Sequence, residues 1–154
     1  MELKELNKRP NIEQDTKLMD KYVNLEKLIN ELGKKEIPSE IANSVNQDIE
    51  EINSFSGSNK DLIKQFRRSQ SNILKLIEKE LKLIPKNFYR NRWMAIGLAV
   101  FGIPFGAAFG ASLGNMAFLG IGIPIGMVVG MAIGAGMDKK AFEEGRHLDI
   151  EINY

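Results

Sequence analysis

Forty-five consecutive residues, 93–137, carry no Asp, Glu, Lys or Arg. All 21 basic and 20 acidic side chains of this 154-residue chain lie in the other 109 residues. The averages, a net charge of +1 and a mean hydropathy of −0.20, hide that division. Charge-free runs of about 18 residues or more read as membrane spans, which argues against a single soluble globular domain. At about 1.5 Å per helical residue, residues 93–113 reach about 31 Å and residues 116–137 about 33 Å, each enough for a hydrocarbon core of about 30 Å. The polar pair within Ser112-Leu113-Gly114-Asn115 predicts a tight turn between two spans. Gly114 and Asn115 are residue types that supply the positive φ such a turn requires.

The run repeats internally. Residues 102–114 align with residues 122–134 at an offset of 20, with six of thirteen positions identical. Glycine recurs at every fourth position in both copies: Gly102, Gly106, Gly110 and Gly114, then Gly122, Gly126, Gly130 and Gly134. Four residues turn an α-helix by about 400°, so each set drifts by about 40° per step and stays on one broad face. Lipid tails are as apolar as leucine, so helices in a bilayer associate through close approach, which a glycine face permits. Ala108, Ala111, Ser112, Ala132 and Ala135 are expected to extend the groove. Pro104 and Pro124 occupy equivalent positions and predict two matching kinks, since each removes a backbone hydrogen bond. Kinks of this kind shape packing or open a pore.

The two ladders resemble the glycine-zipper motif of bacterial two-span membrane proteins. Residues 130–146, from Gly130 through Asp138, Lys139 and Lys140 to Arg146, are similar to the end of small proteins of that kind, and the resemblance covers about residues 94–149. It implies oligomerising membrane hairpins, sometimes channel-like or toxic, with no agreed enzymatic activity.

Leading into the run, Lys86, Phe88, Tyr89, Arg90 and Arg92, with Trp93 as its first residue, mix basic and aromatic side chains. Aromatic rings favour the headgroup layer, and Lys and Arg snorkel toward phosphates, so these residues, with Lys139 and Lys140 after the second span, read as a membrane interface. No acid lies between residues 81 and 137, and the turn is uncharged. The positive-inside rule then places both termini in the cytoplasm of a cell membrane.

Residues 1–92 carry 18 basic and 15 acidic side chains, too balanced for a nucleic-acid arm. The charged first ten residues lack the apolar core of a signal peptide. Three amphipathic stretches follow. Leu18, Tyr22, Leu25, Ile29 and Leu32 form a heptad-like seam within residues 11–32, stopped by Gly33. Pro38 and Ser39 open a second helix, with Ser39 as N-cap, bearing Ile41, Val45, Ile49 and Ile52. A third, from about Lys60, carries Leu62, Phe66, Ser69, Ile73, Leu76 and Leu83 and is ended by Pro85. Amphipathic helices of this length need partners, either each other in a bundle or other chains in a coiled coil. After the spans, residues 148–154 alternate apolar and polar, which reads as one short strand that either adds to another chain's edge or stays disordered.

The expected fold class is therefore all-α: N-terminal amphipathic helices (1–85), an interface segment (86–92), a transmembrane glycine-zipper hairpin (93–137) and a cytoplasmic tail (138–154). There is no cysteine, no Gly-Lys-Ser/Thr phosphate loop, and no ionisable side chain inside the run; His147, four residues after Glu143, lacks further metal ligands. No enzyme, cofactor, metal, nucleic-acid or small-molecule role is expected. The expected partners are the lipid bilayer, further copies of the chain, and a protein held by residues 11–84. Three functions fit: an oligomeric membrane anchor, a pore-forming effector, or a hairpin buried in a larger particle.

Overall fold

Asp15 begins the first helix: its carboxylate accepts the Leu18 N–H at 3.1 Å, satisfying one of the donors a helix N-terminus leaves open. The computed structural model describes residues 2–152. Behind a single 3-10 turn at Ile12–Gln14, α1 spans Thr16–Gly33, α2 spans Ser39–Asn53 and α3 spans Asn59–Leu81. Ser58 caps α3 reciprocally: its hydroxyl accepts the Asp61 N–H at 3.3 Å and donates to the Asp61 carboxylate at 2.7 Å. The expected cap of α2 is displaced by one residue. Pro38 is the N-cap, its carbonyl accepting the Ala42 N–H at 3.0 Å, and Ser39 is already helical.

The three apolar stripes close on one another within one chain, as a bundle. Leu25, Leu28 and Leu32 of α1, Val45 and Ile49 of α2, and Ile73 and Ile77 of α3 are fully buried. Each contributes roughly 1.5–3 kcal/mol of transfer free energy. On α3 the seam runs through Leu62, Phe66, Ser69, Ile73 and Ile77, whereas Leu76 is only partly covered. A 3.6-residue helix drifts away from a strict heptad, and one further step carries the seam from position 76 to 77. Tyr22 meets Phe66 edge-on, with ring centroids 6.4 Å apart.

Burial, reinforced by the Glu26 carboxylate that its hydroxyl reaches at 2.8 Å, pushes the Tyr22 phenol up to about 12. A raised folded pKa favours the neutral form. Its contribution is complete below the ordinary value of 10.0 and is lost as pH climbs toward 12. An absorbance titration of the tyrosines should show one phenol ionising only as the bundle unfolds in that window.

The charged N-terminal segment packs on the bundle through two asparagines of α2. Asn46 accepts the Lys4 N–H at 2.7 Å and donates to the Glu2 carbonyl at 3.3 Å. Asn53 does the same for Asn7 and Glu5, at 2.8 and 3.0 Å. Two side-chain amides seven residues apart lie on one helix face, and each imitates a strand neighbour.

Pro85 does not itself end α3. The helix stops at Leu81, where Lys82 turns left-handed (φ 55°) and the Lys82 and Leu83 N–H groups both reach the Ile77 carbonyl. The residue before a proline avoids helical backbone, and Ile84–Lys86 runs extended as β1. The tail strand is β2, His147–Glu151, and it pairs with β1 of its own chain. Its alternation places Leu148 and Ile150 in the bundle core, joined by Ile152, while the Asp149 N–H reaches the Glu31 carboxylate at 3.3 Å. Asn153 and Tyr154 of that expected strand lie outside the described residues.

The chain divides into two compact units. The first runs up to Ile84 and resumes at Leu148; the second is Pro85–His147. The stretch 138–154, expected to form one tail, is thus shared between them. The second unit is an antiparallel helical hairpin. It contains α4 (Phe88–Gly97), a π turn (Leu98–Gly102), α5 (Ile103–Ser112), a 3-10 turn (Met116–Phe118) and α6 (Leu119–Glu143). The fold class is all-α, the one short strand pair among the described residues aside.

Candidate membrane-spanning hairpin

Within the second unit, two helical stretches are long and apolar enough to cross a membrane: Phe88–Ser112, 25 residues, and Met116–Glu143, 28 residues. Along their shared face lie Gly97, Gly102, Gly106 and Gly110 on one side and Gly122, Gly126, Gly130 and Gly134 on the other, all buried. The backbones meet there. A Cβ on Gly126 would lie 2.5 Å from Gly102 Cα, one on Gly122 2.5 Å from Gly106 N, and one on Gly134 2.5 Å from Arg90 Cα. On Gly130 it would be 2.8 Å from the Trp93 carbonyl carbon, and on Gly106 2.9 Å from Leu119 Cα. No side-chain rotation relieves contacts with backbone, so alanine is already too large.

Two expectations about this face change. Gly114 is outside it: with φ +64° and nothing within 4 Å of where a Cβ would stand, it serves the turn. Gly97 takes its place at the opposite end. Gly97 and Gly102 are five residues apart, and in a regular α-helix they would differ by about 140° around the axis. The π turn absorbs the extra residue: the Ile103 N–H bonds to the Leu98 carbonyl, five residues back, and both glycines face α6. The alanines at 108, 111, 132 and 135 and Ser112 do not extend the groove; all are exposed.

Pro104 lies two residues beyond the end of the π turn. It offers no N–H to Val100, and its ring crowds that carbonyl, so a regular helix is disfavoured just where the turn widens. Pro124 lies inside α6, which remains α-helical through it. The two prolines, equivalent in the repeat, are therefore accommodated differently rather than as a matched pair, and both are exposed.

Outward from the glycine face the surface is large and apolar. Val100, Phe105, Phe109 and Val128 are half or more exposed, as are Leu113 and Met116 at the tip. At the tip, Gly114 supplies the positive φ; Asn115 is extended (φ −139°), and its side chain accepts the Ala117 N–H at 2.9 Å.

At the opposite end, Asp138, the first charge after the run, accepts the N–H groups of both Tyr89 and Arg90 at 2.9 Å. These are open donors of the α4 N-terminus, so α6 supplies the cap that α4 lacks, since Asn87 makes no side-chain cap bond. Gly134 meets Tyr89 and Arg90 one turn earlier, and the cap and the ladder set the same register. Asp138→Ala should therefore cost the hairpin about 1–3 kcal/mol, and Asp138→Asn less, because one acceptor oxygen remains. Thermal unfolding in detergent, followed by helical circular dichroism, checks both.

The residues expected at a membrane interface gather at this end. Phe88 and Tyr89 meet edge-on at 5.2 Å, and the Arg92 guanidinium stands 6.0 Å over Phe88. All but Lys86, which ends β1, belong to α4 or α6. Lys139 and Lys140 pair at 3.9 and 4.0 Å with Glu143 and Glu144, one turn on. His147 packs edge-on against Phe142, at 5.6 Å. Among the described residues, no three His, Asp or Glu side chains are grouped to hold a metal. Gly97 was the ladder member that four-residue spacing missed; its signal is a glycine seven residues before a proline, across a five-residue step. No family model matches this chain, and no curated protein or solved structure matches it either.

Proposed function

We propose that this chain is an integral membrane protein whose glycine-packed hairpin anchors the helical bundle to a bilayer. One observation carries the reading: the glycines of both helices are spent against each other, and the surface left over is bulky, apolar and uncharged between residues 93 and 137. A surface of that kind is costly in water and suited to lipid. The basic residues at the open end of the hairpin, by the positive-inside rule, put both termini in the cytoplasm. The bundle is then free to hold a protein partner. The resemblance to bacterial glycine-zipper proteins agrees with this reading.

Assembly of several chains through the same glycines is the second reading, and it requires the hairpin to open, because each ladder already faces its partner helix. A pore likewise needs several chains, since backbones in contact leave no lumen in one hairpin. Fractionation tests the anchor: the expressed protein is expected in the membrane pellet after carbonate washing, and release by carbonate would overturn it in favour of a hairpin buried within a larger particle. Crosslinking in lipid with Gly106→Leu and Gly126→Leu tests assembly, and dye leakage or loss of membrane potential on expression would favour the pore.

A further inference from the structure

A membrane hairpin has to get its far end across the bilayer, and the physical cost of that step is set by what the tip carries. Here the tip carries nothing charged. Ser112 and Asn115 are the only polar side chains between residues 94 and 137. The backbone of the turn is closed on itself: Leu113 N–H to the Phe109 carbonyl at 3.0 Å, Asn115 N–H to Gly110 at 3.0 Å, and Phe118 N–H to Asn115 at 3.2 Å. The Asn115 side chain is used internally on the Ala117 N–H. What the tip presents outward is Leu113 and Met116, each 59 % exposed. Every charged residue of the hairpin unit sits at the other end, where Asp138 is engaged with the α4 N-terminus. The two helices are also locked by backbone contact, so they can move as one body.

From this geometry we infer that the hairpin inserts itself tip-first into a lipid bilayer from the cytoplasmic side, as a preformed unit and without an insertion machinery. The inference rests on the anchor reading and adds how the anchor gets in. In hydrocarbon every backbone polar group needs an internal partner, and the tip provides one for the turn groups named above. Residues 93–112 span about 30 Å as helix, so the tip stops at the far headgroups while the cationic end stays at the near ones.

The test is cell-free synthesis of the full chain, from purified components, with protein-free vesicles of phosphatidylcholine and phosphatidylglycerol. The wild type should float with the vesicles and resist carbonate. The chain has no cysteine, so a single Leu113→Cys can be probed with an impermeant maleimide added outside, and it should be protected. The double variant Leu113→Lys, Met116→Lys must drag two cations through the bilayer, and its insertion should fall by about tenfold or more. Its helicity in detergent should match the wild type, which separates an insertion defect from a folding defect. Equal insertion of the lysine variant, or a tip cysteine labelled from outside, overturns the proposal. A wild type that enters membranes in cells but not protein-free vesicles overturns self-insertion and leaves the anchor standing; failure in both settings removes the anchor as well.

Discussion

Gly126→Ala and Gly130→Ala are expected to force the two helices of the hairpin apart. In each case the added methyl would collide with backbone, Gly102 Cα at 2.5 Å or the Trp93 carbonyl carbon at 2.8 Å, and neither can rotate away. Overpacking a close-packed interior typically costs about 1–3 kcal/mol even when side chains can adjust; with backbone on both sides we expect about 3 kcal/mol or more. In lipid the loss is not offset by apolar burial elsewhere, because close approach is what holds such helices together. The matched controls are Gly120→Ala and Gly136→Ala, where nothing lies within 4 Å of the new Cβ. Alanine is the better helix former, so these should be neutral or gain up to about 1 kcal/mol. Spin labels on the two helices, read by pulsed distance measurement, should report a wider separation for the first pair and an unchanged one for the second. Equal behaviour of both pairs would mean that the ladder does not close the hairpin.

The π turn allows an equally large contrast to be made by deletion. Removing Ala99 should turn Leu98–Gly102 into regular helix. Gly97 and Gly102 would then be four positions apart, still on one face, with a shift of only about 1.5 Å along the axis. That variant should keep the hairpin packed. Removing Val128 from α6, where no π turn lies, rotates everything beyond it by about 100° and carries Gly130 and Gly134 off the shared face. It should lose the packed hairpin, and with it the Asp138 cap on Tyr89 and Arg90. The same distance measurement, with proteolytic resistance in detergent, distinguishes the two. If both deletions are equally damaging, the π turn is not an absorbed insertion.

These expectations rest on features of differing legibility. The charge-free run, the repeat and seven of the eight ladder glycines follow from spacing, because a four-residue period maps directly onto one helical face. Gly114 and Gly97 show where spacing fails. Gly114 continues the period, but its flexibility is needed by the turn that Asn115 closes. Gly97 breaks the period, and only a local change of helix type returns it to the face. The bundle stripes were legible for the same reason as the ladder. The end of α3 was not: a left-handed Lys82 is a choice made by the Ile77 carbonyl and the strand beyond, and a three-residue strand leaves no periodicity to read. Nor were the Asn46 and Asn53 bonds, which join residues more than forty positions apart.

Strand β2 has a consequence for the order in which the molecule can be finished. Leu148, Ile150 and Ile152 complete the core of a unit whose other core residues all precede position 85. During synthesis those helices emerge first and must wait, their core open on one side, until the whole hairpin has been made. Only a chain translated through the hairpin can close its own bundle. A chain broken off within the hairpin keeps an exposed apolar face, of the kind that proteolytic quality control recognises.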